Sequence, residues 1–279
     1  MRYASVMVYV EDHEIGAARL DLARAIADHF DARLLGVMGS SVTPPAVDTW
    51  TGGAMLGETA SLFNDIATAE VKRAEAVFRT GTAGFAHGCE WRGRTGYPGD
   101  VVGHALRAAD IMVLGRRVAE GVPAGASAID PGDILMIAGR PLLITPPNPV
   151  RSPIGEPAVV AWTDSREAQR AVFAALPMLK AASRVHVVEI APEERLPDAG
   201  VRTADVVGFL AAHGISAEAR PLRGDGRARC EQLIGFAIDV QAGLIVAGGY
   251  GHARMREWVM GGVTHGLLNA SPVCLLLCH

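Results

Sequence analysis

Glycines frame a short loop near the carboxyl terminus, in the stretch LIVAGGYGHARMREWVMGGVTHGLL (244–268). Gly248, Gly251 and Gly261 follow the spacing G-x2-G-x9-G, and a helical pattern resumes directly after them. Glycine lets a turn adopt positive φ and lets backbone N–H groups approach a ligand closely. The first turn of a helix adds unpaired N–H donors and a partial positive charge, which favour phosphate. The spacing therefore predicts a cradle for a phosphate chain.

Side chains of the same loop support this interpretation. His252, Arg254 and Arg256 outnumber the single acid Glu257, and Thr264 places a hydroxyl in the first turn of the following helix. The other interpretation is a crossover connection whose glycines only make turns. Neither G-x4-G-K-[ST] nor G-x-G-x-x-G occurs in the chain, so the loop is neither a Walker loop nor a dinucleotide fingerprint.

An aspartate follows the apolar run that opens the second half of the chain. Asp164 comes directly after AVVAWT (158–163), and doubly wound sheets bind ligands at the carboxyl ends of their strands. Trp162 and Thr163 would flank a nucleoside there, with Trp162 as a core or rim residue. A capping role for Asp164 is also open, because Glu167 follows it by three residues, as in a capping box.

The elements that must position these residues occur twice. SVMVYVED near the start and AVVAWTDS in the middle are each an apolar run with an aspartate, followed by an alanine-rich helical segment. AADIMVLGRR (108–117) matches QAGLIVAGGY (241–250), and each copy closes with a proline-led strand. The segment TPPNPVRSPIGEP between the copies has the composition of a linker. We therefore expect two domains, at 1–147 and 158–279.

Each copy alternates strands with helices. In the second copy, strands are predicted near 158–163, 184–190, 216–222, 243–248 and 272–278, and helices near 165–180, 199–213, 227–240 and 262–270. Continuous apolar strands such as GLIVAG indicate that helices cover both faces of the sheet. Strands joined by helices imply right-handed crossovers and parallel pairing. The sequence predicts an α/β protein of two doubly wound, five-stranded, parallel-sheet domains.

With these motifs the whole chain resembles a tandem universal stress protein, in which one polypeptide carries two such domains. The resemblance is most specific at GGYGHARMREWVMGGVTHGLL, which is similar to that family's ATP-binding loop, G-x2-G-x9-G-[ST]. It implies a Rossmann-like, adenine nucleotide alpha hydrolase-like fold and a pseudo-dimer of the two domains, with a homodimer as a further option. It also implies that the second domain binds ATP, AMP or another adenine nucleotide, with or without Mg²⁺.

The resemblance also implies which residues hold the nucleotide. They are Thr163, Asp164, Val187, Gly248, Gly251, Gly261, Gly262, Val263 and Thr264. Val187, in the second strand of that copy, would line the adenine pocket. Gly262 departs from the family pattern, which has Ser or Thr at that position. One side-chain donor to phosphate is therefore lost, while the backbone donor remains.

The first copy lacks the loop motif. Aligning the closing strands places Asp130 and Pro131 opposite Gly261 and Gly262. An aspartate at a phosphate position repels the ligand, and Asp followed by Pro is typical of a helix N-cap with proline at the first helical position. We expect no triphosphate site in this copy. The insertion at 39–57 is rich in Gly, Pro and Thr and predicts a long loop.

Composition excludes several functional classes. The chain has 279 residues and a net charge of -4, with 26 Lys+Arg against 30 Asp+Glu, so an electrostatic nucleic-acid partner is not expected. No apolar run approaches the roughly 18 residues of a membrane span. The amino terminus lacks the pattern of a signal peptide, and we expect a cytoplasmic protein. Four cysteines and scattered histidines show no zinc-ligand spacing, although Cys274, Cys278 and His279 lie close together in sequence.

Three functional hypotheses follow. The first is a cytoplasmic stress-response protein that binds an adenine nucleotide in its second domain, without catalytic residues. The second is a slow ATPase or nucleotidyl transferase, for which Glu257 and Asp225 are the nearby candidate carboxylates. The third is a scaffold that binds no nucleotide and acts by association.

The closing strands of both copies are apolar throughout. A long apolar strand at the edge of a sheet is a pairing hazard unless something covers it. We expect the strands Pro141–Thr145 and Val273–Leu277 to cover each other, either by direct ladder pairing or by side-chain packing.

Overall fold

The computed structural model describes residues 2–41, 53–116, 127–147, 152–250 and 262–279, with only the backbone for 53–60. We call residues 2–147 the N-terminal half and residues 152–279 the C-terminal half. The strands of the N-terminal half are β1 (Ser5–Tyr9), β2 (Arg33–Val37), β3 (Gly39–Ser40), β4 (Cys89–Trp91), β5 (Arg94–Thr95), β6 (Ile111–Gly115) and β7 (Leu142–Thr145). Its helices are α1 (Glu14–His29), α2 (Gly53–Gly81), α3 (Pro98–Ala105) and α4 (Pro131–Ile137).

The C-terminal half repeats this alternation. Its strands are β8 (Ala158–Ala161), β9 (Val185–Ala191), β10 (Ala217–Arg223), β11 (Leu244–Gly248) and β12 (Cys274–Cys278). Its helices are α5 (Arg166–Ala181), α6 (Leu196–Ala212), α7 (Arg229–Asp239) and α8 (Gly262–Ala270). The strands and helices predicted for this half are all present, with ends that differ by at most a few residues.

One sheet of ten strands runs through the molecule, in the order β10-β9-β8-β11-β12-β7-β6-β1-β2-β4. Each half contributes five strands to this sheet, and within each half those five are parallel. In the N-terminal half, β3 and β5 form a separate two-stranded sheet. The central strands are buried almost throughout, as expected when helices cover both faces. The predicted α/β architecture of two five-stranded, doubly wound parallel sheets is confirmed.

The two halves meet where β7 pairs with β12. This pairing is antiparallel, with Leu142 opposite Leu277, Leu143 opposite Leu276 and Ile144 opposite Leu275. Each edge therefore covers the other, and the predicted direct ladder between the closing strands is confirmed. Away from the sheet, the Arg116 guanidinium donates to the Ser271 carbonyl oxygen at 3.1 Å, and the Tyr3 hydroxyl donates to the Ala174 carbonyl oxygen at 2.7 Å.

The insertion at 39–57 is not a loop throughout. Gly39 and Ser40 form β3, which pairs with β5, and α2 already begins at Gly53. Residues 42–52 lie outside the described part of the chain. In the residues that the structure describes, no helix is both long and apolar enough to cross a membrane.

Candidate functional site

The switch point of the C-terminal half lies between β8 and β11. From β8 the chain runs outward through β9 to β10 and then returns to the other side of β8 for β11 and β12. Ligands of doubly wound sheets bind in the crevice at the carboxyl ends of the two strands that flank this point. Ala161 of β8 pairs with Ala247 of β11, so Thr163 and Asp164 follow one strand beside Gly248 at the end of the other. Both Thr163 and Asp164 are exposed.

The amino end of α5 explains how Asp164 remains exposed. The N-cap is Ser165, whose Oγ accepts a hydrogen bond from the Ala168 amide at 3.2 Å. The capping role that the sequence left open for Asp164 is therefore wrong, because the residue after it satisfies the amide at the third helical position. Only the local backbone geometry separates these two candidates, since Asp and Ser are both good N-caps.

Gly248 lacks a side chain for a packing reason. A Cβ at this position would lie 2.5 Å from the Ala168 backbone nitrogen and 2.8 Å from the Glu167 carbonyl carbon. The strand end can approach the start of α5 only because no side chain intervenes. This requirement is compatible with a ligand role for the Gly248 backbone, but it also accounts for the glycine without one.

The surroundings of Gly262 differ from those of Gly248. It is the first residue of α8, it is exposed, and a Cβ added there would meet no atom of the described residues within 4 Å. Packing in this part of the molecule therefore does not account for a glycine at this position. Val263 is partly buried, and Thr264 is 6% exposed. Two further glycines of the predicted set, Gly251 and Gly261, lie outside the described residues.

Val187 lies in the middle of β9, between Val160 of β8 and Ala219 of β10, and it has no exposed surface. Ile190 is three residues nearer the carboxyl end of the same strand and is partly exposed. The sequence pattern did not distinguish the two, because the strand is apolar at both positions.

An ion pair stands beside Asp164. The Arg202 Nε donates to both carboxylate oxygens of Glu189 at 3.1 Å. The pKa of Arg202 is raised chiefly by this hydrogen bond, and the negative charge of Asp164 acts in the same direction. Because Glu189 engages the guanidinium, the exposed Asp164 carboxylate keeps oxygen atoms that can accept hydrogen bonds from a ligand.

A cavity of about 970 Å³ adjoins this ion pair, where α5 and α6 face the N-terminal half. Its aromatic and aliphatic lining includes Trp162, Val172, Phe173, Val206 and Phe209. Trp162 is 9% exposed and belongs to the buried core, one of the two roles expected for it from the sequence. Asp164 also lines this cavity, whereas Gly248 and Gly262–Thr264 do not. The cavity therefore extends from Asp164 away from the start of α8.

The N-terminal half has its switch point between β1 and β6, and there the crevice is filled. The guanidinium of Arg19, a residue of α1 that is 3% exposed, pairs with Glu11 and approaches the Tyr9 carbonyl oxygen at 3.4 Å. A Cβ on Gly115, at the end of β6, would overlap the Nη2 atom of Arg19. A buried guanidinium, paired with the partly exposed Glu11, thus occupies the position at which the other half presents small residues.

The start of α4 confirms the predicted cap. The Asp130 Oδ1 accepts a hydrogen bond from the Gly132 amide at 2.7 Å, and Pro131 is the first helical residue. The carboxylate stands at the amino end of the helix, at the position aligned with Gly261.

Of the two carboxyl-terminal cysteines, Cys274 has the environment of a core residue, whereas Cys278 is partly exposed. Cys274 is buried, and burial raises the pKa of its thiol to about 12. The His279 Nδ1 lies 3.1 Å from the Gly249 carbonyl oxygen. Within the described ranges, no cluster of three or more His, Cys, Asp or Glu side chains could hold a metal ion.

A crystal structure of a universal stress protein from Archaeoglobus fulgidus DSM 4304 superposes on the whole molecule. It matches 100% of this chain and 99% of its own, with a TM-score of 0.66 and 16% sequence identity. The chain has the fold of a tandem universal stress protein. A functionally unknown protein from Pseudomonas aeruginosa PAO1 shares this universal stress protein fold over 99% of this chain and 92% of its own, with a TM-score of 0.61 and 15% identity.

Single-domain universal stress proteins match one half at a time. One, solved in complex with cAMP, covers 45% of this chain and 98% of its own, with a TM-score of 0.38 and 19% identity. A likeness of that extent says nothing about the ligand of this chain. No protein-family model matches the sequence, and no curated protein is significantly similar to it. The structural likeness therefore establishes the universal stress protein fold and leaves the activity to be argued from the site.

Proposed function

We propose that the protein binds an adenine nucleotide in its C-terminal half, at the switch point between β8 and β11. The observation that carries the proposal is the exposed carboxylate of Asp164, which follows β8 beside Gly248 at the switch point. The loop motif adds the start of α8, where Gly262 is exposed. A carboxylate suits the hydroxyls of a ribose, and the N–H donors of a helix start suit phosphate.

Residues around these two groups complete the proposed site. Thr163 directly precedes Asp164, and Gly248 lies beside them at the end of the neighbouring strand β11. Val263 and Thr264 follow Gly262 in the first turn of α8. Gly251 and Gly261 are included in the proposed site on the basis of the loop motif alone. Ile190 is a second candidate beside Val187 for the base, since Val187 offers no exposed surface.

The proposal assigns the nucleotide to one domain of two, with boundaries at 1–147 and 158–279. The Arg19–Glu11 pair in the crevice and the Asp130 carboxylate at the start of α4 both argue against a second site in the N-terminal domain. Like charge disfavours a phosphate beside Asp130. As the resemblance implies, the proposal includes a cytoplasmic location and a stress-response role.

The ATPase hypothesis has weaker support. Hydrogen bonds from Arg227 lower the pKa of Asp225, and the Arg227 Nε donates to its Oδ2 at 2.7 Å. A carboxylate held in this way is a poor general base. Glu257 lies outside the described residues. Nucleotide binding without designed hydrolysis is therefore the function that the site supports best.

Calorimetric titration with ATP, ADP, AMP and cAMP tests the proposal, with two matched aspartate variants. Asp12 and Asp164 each stand two residues before the first helix of their half, so Asp12→Ala is the control for Asp164→Ala. We expect saturable binding by the wild-type chain and by Asp12→Ala, and roughly tenfold weaker binding by Asp164→Ala through loss of the hydrogen bonds to the ribose. Absence of saturation at millimolar nucleotide would favour the scaffold hypothesis.

A further inference from the structure

Tyr250, two residues beyond β11, has an unusual backbone conformation. Its φ is 50°, in the left-handed region. Glycine and asparagine adopt this region readily, whereas a bulky aromatic residue does so only where its surroundings hold it. The conformation therefore points to a contact that the Tyr250 side chain makes.

That contact is with the N-terminal half. The Tyr250 hydroxyl lies 2.8 Å from the position that a Cβ on Gly132 would occupy, in the first turn of α4. A Cβ on Gly249 would likewise overlap Leu135 Cδ2 of the same helix. Two glycines, one on each side of the interface, thus make room for side chains of the other half.

The electrostatic environment of Tyr250 is consistent with its contact with α4. Burial raises the pKa of Tyr250, and the carboxylates of Asp130 and Asp133 raise it further. Because the acidic residues at the start of α4 disfavour the phenolate, the Tyr250 hydroxyl stays protonated and can donate a hydrogen bond. These are the carboxylates that make the same helix start unsuitable for phosphate.

Contacts within the C-terminal half also hold the chain at Gly249. The Gly249 amide donates to the Cys278 carbonyl oxygen at 2.9 Å, and the His279 ring approaches the Gly249 carbonyl oxygen at 3.1 Å. Residues 249 and 250 are therefore fixed between the end of β12 on one side and α4 on the other.

We propose that α4 of the N-terminal half is the support that fixes where the chain leaves β11, with Tyr250 and Gly132 as positioning residues for the nucleotide site. The inference rests on the proposed function. It gives the N-terminal copy a structural role in the site of the other copy. Its helix start, which has Asp-Pro where the other copy has Gly-Gly, holds the beginning of the glycine loop instead of binding a ligand.

Two alanine variants test the support. Gly132→Ala places a methyl group 2.8 Å from the Tyr250 hydroxyl and 3.0 Å from Asp130 Oδ1, whereas Gly139→Ala, just beyond the same helix, meets no atom of the described residues within 4 Å. Amide hydrogen exchange of the peptide that contains Gly249 and Tyr250 reports the support without any ligand, and ATP titration reports its effect on the site. Thermal denaturation confirms that both variants fold.

We expect Gly132→Ala to speed exchange at the Gly249 amide and to weaken nucleotide binding by at least about fivefold, in the range of ordinary coupling between sites. Gly139→Ala should change neither quantity. Tyr250→Gly relieves the strained backbone but removes the phenol. Its amide exchange and nucleotide affinity should therefore resemble those of Gly132→Ala, and it replaces Gly132→Ala in the test if that variant fails to fold.

Unchanged exchange in both Gly132→Ala and Tyr250→Gly would overturn the inference, and so would faster exchange with unchanged affinity. If the wild-type chain binds no nucleotide, the proposed function fails. Faster exchange in Gly132→Ala would then still show that α4 orders Gly249 and Tyr250, so the two failures are distinguishable.

Discussion

The two switch points of the sheet have the same strand order but different contents. The helices α1 and α5 both have 16 residues, and the sixth is Arg19 in one and Ala171 in the other. Three residues before each helix stands Glu11 in one half and Thr163 in the other. The N-terminal half thus fills its crevice with an ion pair of its own, while the C-terminal half leaves small or neutral groups there. A crevice of this kind can exclude a ligand either by closing or by repulsion, and the proposed function ascribes both to the N-terminal half.

The helix starts repeat the contrast. Pro131 opens α4 behind an aspartate cap, whereas the exposed Gly262 opens α8. The Asp130 cap satisfies the Gly132 amide, while the proposed function assigns the amides at the start of α8 to a nucleotide. Under that proposal, one helix start has a structural role and the other binds the ligand.

Removing the buried guanidinium should have the largest effect. Arg19→Ala removes the buried guanidinium from Glu11, whose other neighbour, the His13 Nε2 at 3.6 Å, cannot fill the space under β6. We expect a loss of about 3 kcal/mol in the free energy of unfolding. Denaturation in urea measures it. The double variant with Glu11→Thr, which introduces the residues of the other half, should recover part of the loss. A change below about 0.5 kcal/mol in the single variant would contradict the interpretation of the pair as a filler.

A methyl group at the end of β11 should have the next largest effect. Gly248→Ala forces a Cβ against the Ala168 backbone, and we expect a loss of about 2 kcal/mol from overpacking. Gly262→Ala is the matched control and should fold with undiminished stability, because its methyl group meets no atom within 4 Å in the part of the chain that the structure describes. Equal stability of the two variants, compared in one urea series, would mean that Gly248 has no packing role.

Introducing the Ser of the universal stress protein loop motif should produce a smaller change, a gain in affinity. Gly262→Ser adds a hydroxyl that meets no atom of the described residues at its Cβ, and we expect roughly fivefold tighter ATP binding from one charge-assisted hydrogen bond. Pro131→Ser makes the same change at the start of α4 and should create no second site in a calorimetric titration, because Asp130 and Arg19 remain. Two binding sites in that variant would remove the distinction between the halves.

The smallest effect on stability is expected for the replacement of Asp12. Asp12 pairs with Arg73 at 3.1 Å, and both side chains are about half exposed. Asp12→Asn should cost less than about 1 kcal/mol, as for other surface ion pairs. Salt should reduce the difference between the wild-type chain and this variant. A loss that persisted in molar salt would show that Asp12 has a structural role beyond this pair.

The fold was predictable because the signals are long and repeated. Apolar runs followed by helical segments recur in both halves, and the apolar closing strands predicted the ladder between β7 and β12. The contents of the crevices were not predictable. In sequence Arg19 is one charged residue on an amphipathic helix, and nothing local shows that its guanidinium is buried against Gly115. The Ser165 cap was missed because its neighbour Asp164 is an equally good capping residue, and the choice depends on backbone angles.

The ladder between β7 and β12 joins segments about 130 residues apart, as the pairing of Ile144 with Leu275 shows. A ribosome that adds roughly 5–20 residues per second takes roughly 7–26 s to produce the second strand after the first. During that interval the N-terminal half can fold, but its edge strand Leu-Leu-Ile-Thr has no partner from its own chain. Neighbouring nascent chains on the same messenger carry the same uncovered edge. The stage at which this protein is most exposed to misassembly is therefore its synthesis, and a chaperone that shields β7 would be needed only until β12 emerges.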